Sequence, residues 1–552
     1  MARHATDMLV AGTLAVVVAM PLGFVLLQAV FPDLPEGSLR AAFAHWGTVA
    51  SDPLLPELVA NTLWLGFWVC AASAGLAVPL AFVRGLFDLP FARIWDVLFL
   101  IPFMTPPYVG AMAWTFALQP GGYASQLVGV SAAPLLFSFP GMVLVMALHL
   151  FPLVYFALSR ALATIGWRHV DVARVCGASV GFALRRVVLP LCMPALAASL
   201  LLVFAMAIEE YGTPAILGRP SQYLVLVTRI EEKFADWPID LPGAAMLSLV
   251  LLALALAAFG LHDRIATRRS YTTVTGKSAG SFARLPLGRW RLPALAAFAA
   301  TGLCAVVLPV GAMLATAFSE TLSGGLRPEN LGLRHFRAVF ADGGGALGAL
   351  LTSWGLASVT AVAAGALGAL AAYVGVRSAW RGRKAVDALA ALPNALPAMV
   401  LAVGLILCWN RGFWPVQVYN TAIVLVLAYV CLLLPYPVRY VSAALRQIGE
   451  SMDGAARVSG AGTARLLARI LVPLVAPQLF VAMLLVFAIA SRELVASVML
   501  APPGMATVST FIFNQFAQGA PGEGMALAAV AIGLSTALLV ALAGRASAST
   551  TG

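Results

Sequence analysis

The chain has 552 residues, of which 61% are hydrophobic and 10% charged, with a net charge of +11. Soluble domains carry roughly 45–50% apolar and about 25% charged residues, so these proportions exclude a soluble globular fold. The positive charge does not point to nucleic acid, because the basic residues fall between apolar runs, where the orientation of a membrane chain accounts for them.

In chain order, the apolar runs predict membrane-crossing helices over 8–31, 57–83, 95–118, 136–160, 190–217 and 243–262, then 293–318, 347–376, 386–409, 420–443, 473–500 and 524–544. Each lies near the about 20 helical residues that a hydrocarbon core requires. The first run is longer than the apolar region of a signal peptide, and no small-residue cleavage site with a polar domain follows it, so it reads as a retained helix. The expected fold class is therefore an all-α integral membrane protein with about twelve transmembrane helices. Cys70, Cys176, Cys192, Cys304, Cys408 and Cys431 are scattered without a C-x-x-C pair and read as small core residues, and no cofactor or metal cluster is indicated.

Residues 1–262 and 293–552 each hold six of these spans, and the intervening 263–292 is polar and rich in Ser, Thr, Gly and Arg, as a cytoplasmic linker would be. With the N-terminus in the cytoplasm, Arg84, Arg93, Arg160, Arg174, Arg377, Arg383, Lys384, Arg446 and Arg457 all fall inside with that linker. The positive-inside rule then places both termini in the cytoplasm.

The two halves are repeats. At a spacing of 283 residues, Pro152 matches Pro435, Gly177 matches Gly460, Arg174 matches Arg457, Arg186 matches Arg469, and Pro190 and Pro194 match Pro473 and Pro477. LLVFA occurs at 201–205 and again at 484–488. Six spans per half return the chain to the same side, so the repeats are parallel and a pseudo-two-fold axis along the membrane normal is expected to relate them.

Between the fourth and fifth spans of each half lies a charged segment, 166–190 and 449–473. Each combines a short helical piece, a glycine that permits a turn, a second basic helical piece, and a proline suited to the first turn of the next helix. An amphipathic connector anchored at the headgroups would look similar in a single copy. The paired segments resemble the EAA loop of binding-protein-dependent ABC importer permeases. The first copy reads Asp171-Val172-Ala173, then Gly177 and Val187-Val188-Leu189-Pro190; the second reads Gly454-Ala455-Ala456, then Gly460 and Ile470-Leu471-Val472-Pro473, with Asp453 one place before.

That resemblance implies two parallel six-helix repeats like the transmembrane domain of a type I ABC importer. It also implies that Asp171, Ala173, Arg174, Gly177 and Ala178, with Asp453, Ala455, Ala456, Arg457, Gly460 and Ala461, form loops that couple to an ABC ATPase. Two such loops imply two ATPase copies, a periplasmic solute-binding protein on the other face, and a bacterial inner-membrane location. Fusion of both halves in one chain is similar to the ferric-iron permease group, which also includes 2-aminoethylphosphonate and thiamine permeases. Ferric iron is the expected solute, with those two as alternatives.

Four ionisable residues lie inside or at the end of predicted spans: Glu209, Glu210, Arg492 and Glu493. An ionisable group at the bilayer centre costs about 2.5–3.5 kcal/mol on insertion scales, which marks them as candidates for the translocation path or an outer gate. At about 1.5 Å rise per residue, Glu210 stands roughly 30 Å above Pro190, near the outer interface, where a water-facing helix end is the plainer reading. Carboxylates suit a hard trivalent cation and Arg492 suits a phosphonate, so charge leaves the choice open. Tyr211-Gly212-Thr213-Pro214 is expected to end the fifth span, and Pro102, Pro106, Pro393 and Pro397 to kink the third spans or pack within them.

The chain carries no GxxxxGK[ST] phosphate loop, HExxH or G-x-S-x-G motif, so ATP hydrolysis is expected on a separate subunit and the chain is not expected to be an enzyme. A secondary transporter with parallel repeats is the rival class, but it needs no paired docking loops.

Overall fold

A computed structural model describes residues 5–129, 131–165, 168–268, 285–341, 345–412, 414–459 and 462–549; most of the linker lies outside these. The chain is helical because a backbone in lipid has to satisfy its own N–H and C=O groups. In order, the helices are α1 (Ala5–Val30), α2 (Leu54–Leu86), α3 (Ala92–Met104), α4 (Pro107–Leu118), α5 (Phe139–Ile165), α6 (Arg168–Val175), α7 (Gly181–Glu209) and α8 (Leu241–Arg268). There follow α9 (Gly288–Phe318), α10 (Ala346–Arg377), α11 (Arg383–Ala391), α12 (Ala398–Trp409), α13 (Ala422–Leu433), α14 (Pro435–Gln447) and α15 (Glu450–Val458). The last are α16 (Leu467–Ala490), α17 (Val495–Leu500), α18 (Val508–Ala517) and α19 (Pro521–Ser549). Among the described residues nine helices are long and apolar enough to cross a membrane, and three bent pairs raise the number to the twelve expected.

Two classes of span differ from expectation. The runs 95–118 and 386–409 are not continuous helices: the chain turns by 98° between α3 and α4, and by 116° where the α11 segment meets α12. Thr105 and Leu396 are extended, as residues preceding a proline must be, and Pro106 and Pro397 follow with ψ of 137° and 134°. The fifth spans end early, at Glu209 and Ala490 rather than 217 and 500. Glu210 is already extended, and the chain resumes as a π-helical turn, Pro214–Gly218, in the first half and as α17 in the second.

Prolines inside spans are handled in a second way as well. Pro21, Pro190, Pro309 and Pro473 each follow a five-residue π-helical turn: Ala15–Ala19, Leu184–Val188, Leu303–Val307 and Leu467–Leu471. A proline has no N–H, and its ring collides with the carbonyl four residues earlier. Widening the turn to i→i+5 moves that carbonyl aside and leaves the helix continuous.

The helices pack as two units, Met1–Asp52 with Ile230–Leu252 and Phe336–Gly552, and Pro53–Arg229 with Ala253–His335. In the first unit α1 packs against α10, α11, α12 and α13, and α10 packs against α14 and α16. In the second, α9 packs against α2, α3 and α4, and α5 packs against α2 and α7. Each sequence repeat thus contributes its first helix to the unit built largely from the other repeat. Phe298 of α9 stacks on Phe99 of α3 at 5.5 Å, with Tyr155 edge-on to Phe99 at 5.2 Å. In the first unit the corresponding closeness is between backbones: a Cβ on Gly404 of α12 would stand 2.6 Å from the Pro21 carbonyl oxygen of α1.

Gly404→Ala is therefore expected to push α1 off α12 and to lower thermal stability by about 1–3 kcal/mol, as overpacking does. Gly355→Ala, where a Cβ meets nothing within 4 Å, serves as the control and is expected to be neutral or mildly stabilising in the same melting experiment.

Candidate functional site

The loop between α5 and α7 is built around one glycine. The Ala178 N–H donates to the Ala173 carbonyl at 3.0 Å, and the Gly177 N–H donates to the Arg174 carbonyl at 2.9 Å. That bonding pattern, with Gly177 at φ +87°, is a Schellman closure, which caps the last carbonyls of α6 and reverses the chain. A side chain at 177 would be strained in this left-handed conformation. Ala173, Arg174, Gly177 and Ala178 are thus one structural device, and Asp171 adds an exposed pair with Arg174 at 3.9 Å.

In the second repeat α15 takes the place of α6, with Ala455 exposed and Ala456 buried. Gly460, Ala461 and the Arg457 side chain lie outside the described residues. Asp453 does not face solvent as Asp171 does. Its carboxylate lies 3.7 Å from Nε of Arg377, with side-chain exposures of 15% and 4%. Arg377 ends α10, and its Nη2 also donates to the Leu445 and Ile448 carbonyls at the end of α14. The arginine therefore ties α10, α14 and α15 together. The first repeat has an arginine in the last turn of its own second span, but it is used otherwise: Arg84 of α2 grips Asp96 of α3 at 2.6 Å, and the Tyr155 hydroxyl donates to the same carboxylate at 2.8 Å.

Both loops expose an apolar side chain at the same repeat position. Val175 is 88% and Val458 91% exposed, beside Val172 and Phe182 in one loop and Met452 in the other.

The four ionisable residues of the fifth spans do not act alike. The Glu210 carboxylate accepts from the Thr213 N–H at 2.9 and 3.1 Å, and that of Glu493 accepts from the Ala496 and Ser497 N–H groups at 3.1 Å each. Both carboxylates cap the helical segment that follows their span, and negative charge at a helix start is favourable. Glu209 and Arg492, the preceding pair, are half-buried at the span ends. Beyond Glu493 the chain packs back through α17 onto α12 and α13, where Tyr429 and Ser497 share a hydrogen bond of 2.6 Å.

One cluster escaped the sequence reading. Tyr436, Arg439 and Tyr440 are exposed and share one face of α14 through their i, i+3, i+4 spacing. Both Arg439 and Arg492 lie within electrostatic reach of the Tyr436 phenol. An arginine inside the predicted run 420–443 was the available signal.

Asp453→Asn removes a carboxylate from beside the buried Arg377 guanidinium and is expected to lower stability by roughly 3 kcal/mol. Asp171→Asn, which breaks an exposed pair, is expected to stay within about 0.5 kcal/mol in the same thermal unfolding assay.

The sequence matches the model of one protein family twice, over residues 73–271 and 364–549, described as the binding-protein-dependent transport system inner membrane component. The chain is 26% identical to a putative ferric transport system permease protein of Haemophilus influenzae, over 80% of this chain and 69% of the relative. It is 27% identical to a ferric transport system permease protein of Actinobacillus pleuropneumoniae, over 88% and 70%. A putative 2-aminoethylphosphonate transport system permease protein of Salmonella typhimurium is 28% identical over 43% of this chain and 87% of its own length.

Proposed function

Because the chain belongs to the family of inner-membrane components of binding-protein-dependent transport systems, we propose that it supplies both halves of the permease of an importer for ferric iron, driven by a separate ABC ATPase present in two copies. The observation that carries this reading is the pair of loops after the fourth span of each repeat, each centred on a short helix with an outward valine, Val175 or Val458. Each loop takes one ATPase subunit. The Schellman closure at Gly177 keeps the first docking helix rigid, and the Arg377 tie passes movement of α15 to α10 and α14. Asp171, Ala173, Arg174 and Ala178, with Asp453, Ala455, Ala456, Arg457, Gly460 and Ala461, complete the two docking surfaces.

Both termini and the docking loops face the cytoplasm, and a periplasmic solute-binding protein delivers cargo to the opposite face. Glu209, Glu210, Arg492 and Glu493 border the translocation path, with Glu210 and Glu493 holding the segments that follow the fifth spans. Ferric iron is favoured because relatives aligned over most of the chain are ferric transport permeases, whereas the 2-aminoethylphosphonate relative aligns over less than half.

Uptake of radiolabelled ferric iron, 2-aminoethylphosphonate and thiamine, each under limitation, is the test in cells with and without the gene. Loss of iron uptake alone is expected, by at least about ten-fold. Loss of phosphonate uptake alone overturns the iron assignment and moves the emphasis to Arg492.

A further inference from the structure

A cavity of about 550 Å³ opens between the end of α10, the start of α11 and the end of α14. Its wall includes Arg377, Arg383, Lys384, Arg446, Asp387 and Gly449, and α15 begins at the next residue. Among the described residues, four cations thus meet one carboxylate in a single recess. Arg377 is turned to the Leu445 and Ile448 carbonyls and to Asp453 behind the wall, and Arg383 reaches the Ser378 carbonyl at 3.3 Å. Lys384 and Arg446 are exposed, and neither has an acidic partner among the described residues.

The general excess of basic residues on one side of a membrane protein does not produce this arrangement, because the first repeat lacks it. There the counterpart of Asp387 is Asp96, fully engaged by Arg84 and Tyr155. Alanines, Ala92 and Ala163, stand where the second repeat has Arg383 and Arg446. At the spacing of 291 residues that pairs Asp96 with Asp387, Arg84 falls on Gly375 and Arg93 on Lys384, so the second repeat has no arginine at the place that grips this acid in the first, and it adds Arg383 and Arg446 around the space left.

Guanidinium forks and an ammonium converging on a polar recess match a tetrahedral anion with several acceptor oxygens. The recess sits where the apolar parts of α10 and α14 end, at the level at which basic pockets between spans hold acidic headgroups. We infer that this recess binds a phosphate group, carried either by an anionic phospholipid or by a soluble phosphate. The inference rests on the membrane reading of the chain but not on its cargo. An anion held there sits against Gly449 and Arg377, the two residues that fix the start of the second docking helix, so occupancy bears on one docking loop and not on the other.

The test uses the full chain in nanodiscs of phosphatidylcholine, with phosphatidylglycerol added in one arm and inorganic phosphate in the other. Bound lipid is counted by native mass spectrometry, and thermal unfolding is followed in both arms. The double variant K384Q/R446Q alters exposed side chains only, and R334Q/R337Q removes two exposed charges elsewhere. If the anion is a lipid headgroup, the wild type retains one phosphatidylglycerol that K384Q/R446Q binds about ten- to thirty-fold more weakly, and R334Q/R337Q retains it. If it is a soluble phosphate, inorganic phosphate stabilises the wild type and R334Q/R337Q but not K384Q/R446Q. The inference is overturned if K384Q/R446Q responds to both probes as the wild type does, or if R334Q/R337Q loses as much as K384Q/R446Q.

Discussion

A backbone surrounded by hydrocarbon has no water to replace a lost hydrogen bond, and every proline in a span removes one donor. Pro79, Pro152, Pro194 and Pro477 lie inside α-helical spans, and at six further prolines the chain answers this constraint in two ways. At Pro21, Pro190, Pro309 and Pro473 a π-helical turn absorbs the missing bond and the helix runs on. At Pro106 and Pro397 the preceding residue is extended and the chain turns by about a right angle, 98° and 116°. Such breaks are tolerated at membrane depth only where protein or water receives the freed groups. Both answers occur at matching places in the two repeats, so the positions of the prolines, more than the apolar composition, shape the bundle.

On this shared scaffold the polar side chains diverge. In the first repeat the arginine in the last turn of the second span, Arg84, is spent on Asp96, whereas in the second Arg377, two places beyond the matching Gly375, holds Asp453 of α15. Glu209 is replaced by Arg492, and Phe156 and Leu153 by Arg439 and Tyr436. A permease made of two identical chains would have identical loops after its fourth spans and identical walls. Fusion into one chain releases each repeat from that identity, and the second has gathered the cations.

Much of this was legible in the residues. Apolar run length placed nine continuous spans and three bent ones among the described residues, and the paired Gly, Pro and Arg positions disclosed the repeat that the family match finds twice. Hydropathy could not show that the third spans turn sharply, because the residues on either side of the turn are apolar and only Pro106 and Pro397 mark it. Nor could it show that α1 and α9 each pack with helices of the other repeat, since pairing between apolar helices is written in shape, as where Gly404 admits the Pro21 carbonyl. The role of Glu210 and Glu493 as caps was hidden for a related reason. Their partners are backbone N–H groups three and four residues on, exposed only once the span has ended.

The central claim is that one copy of this chain supplies both halves of the permease and engages two ATPase subunits. The most direct measurement is the native mass of the complex purified from cells expressing the chain with its ATPase. A complex of one permease chain and two ATPase chains is predicted. A complex holding two copies of this chain, or one ATPase per permease chain at saturation, would contradict the account.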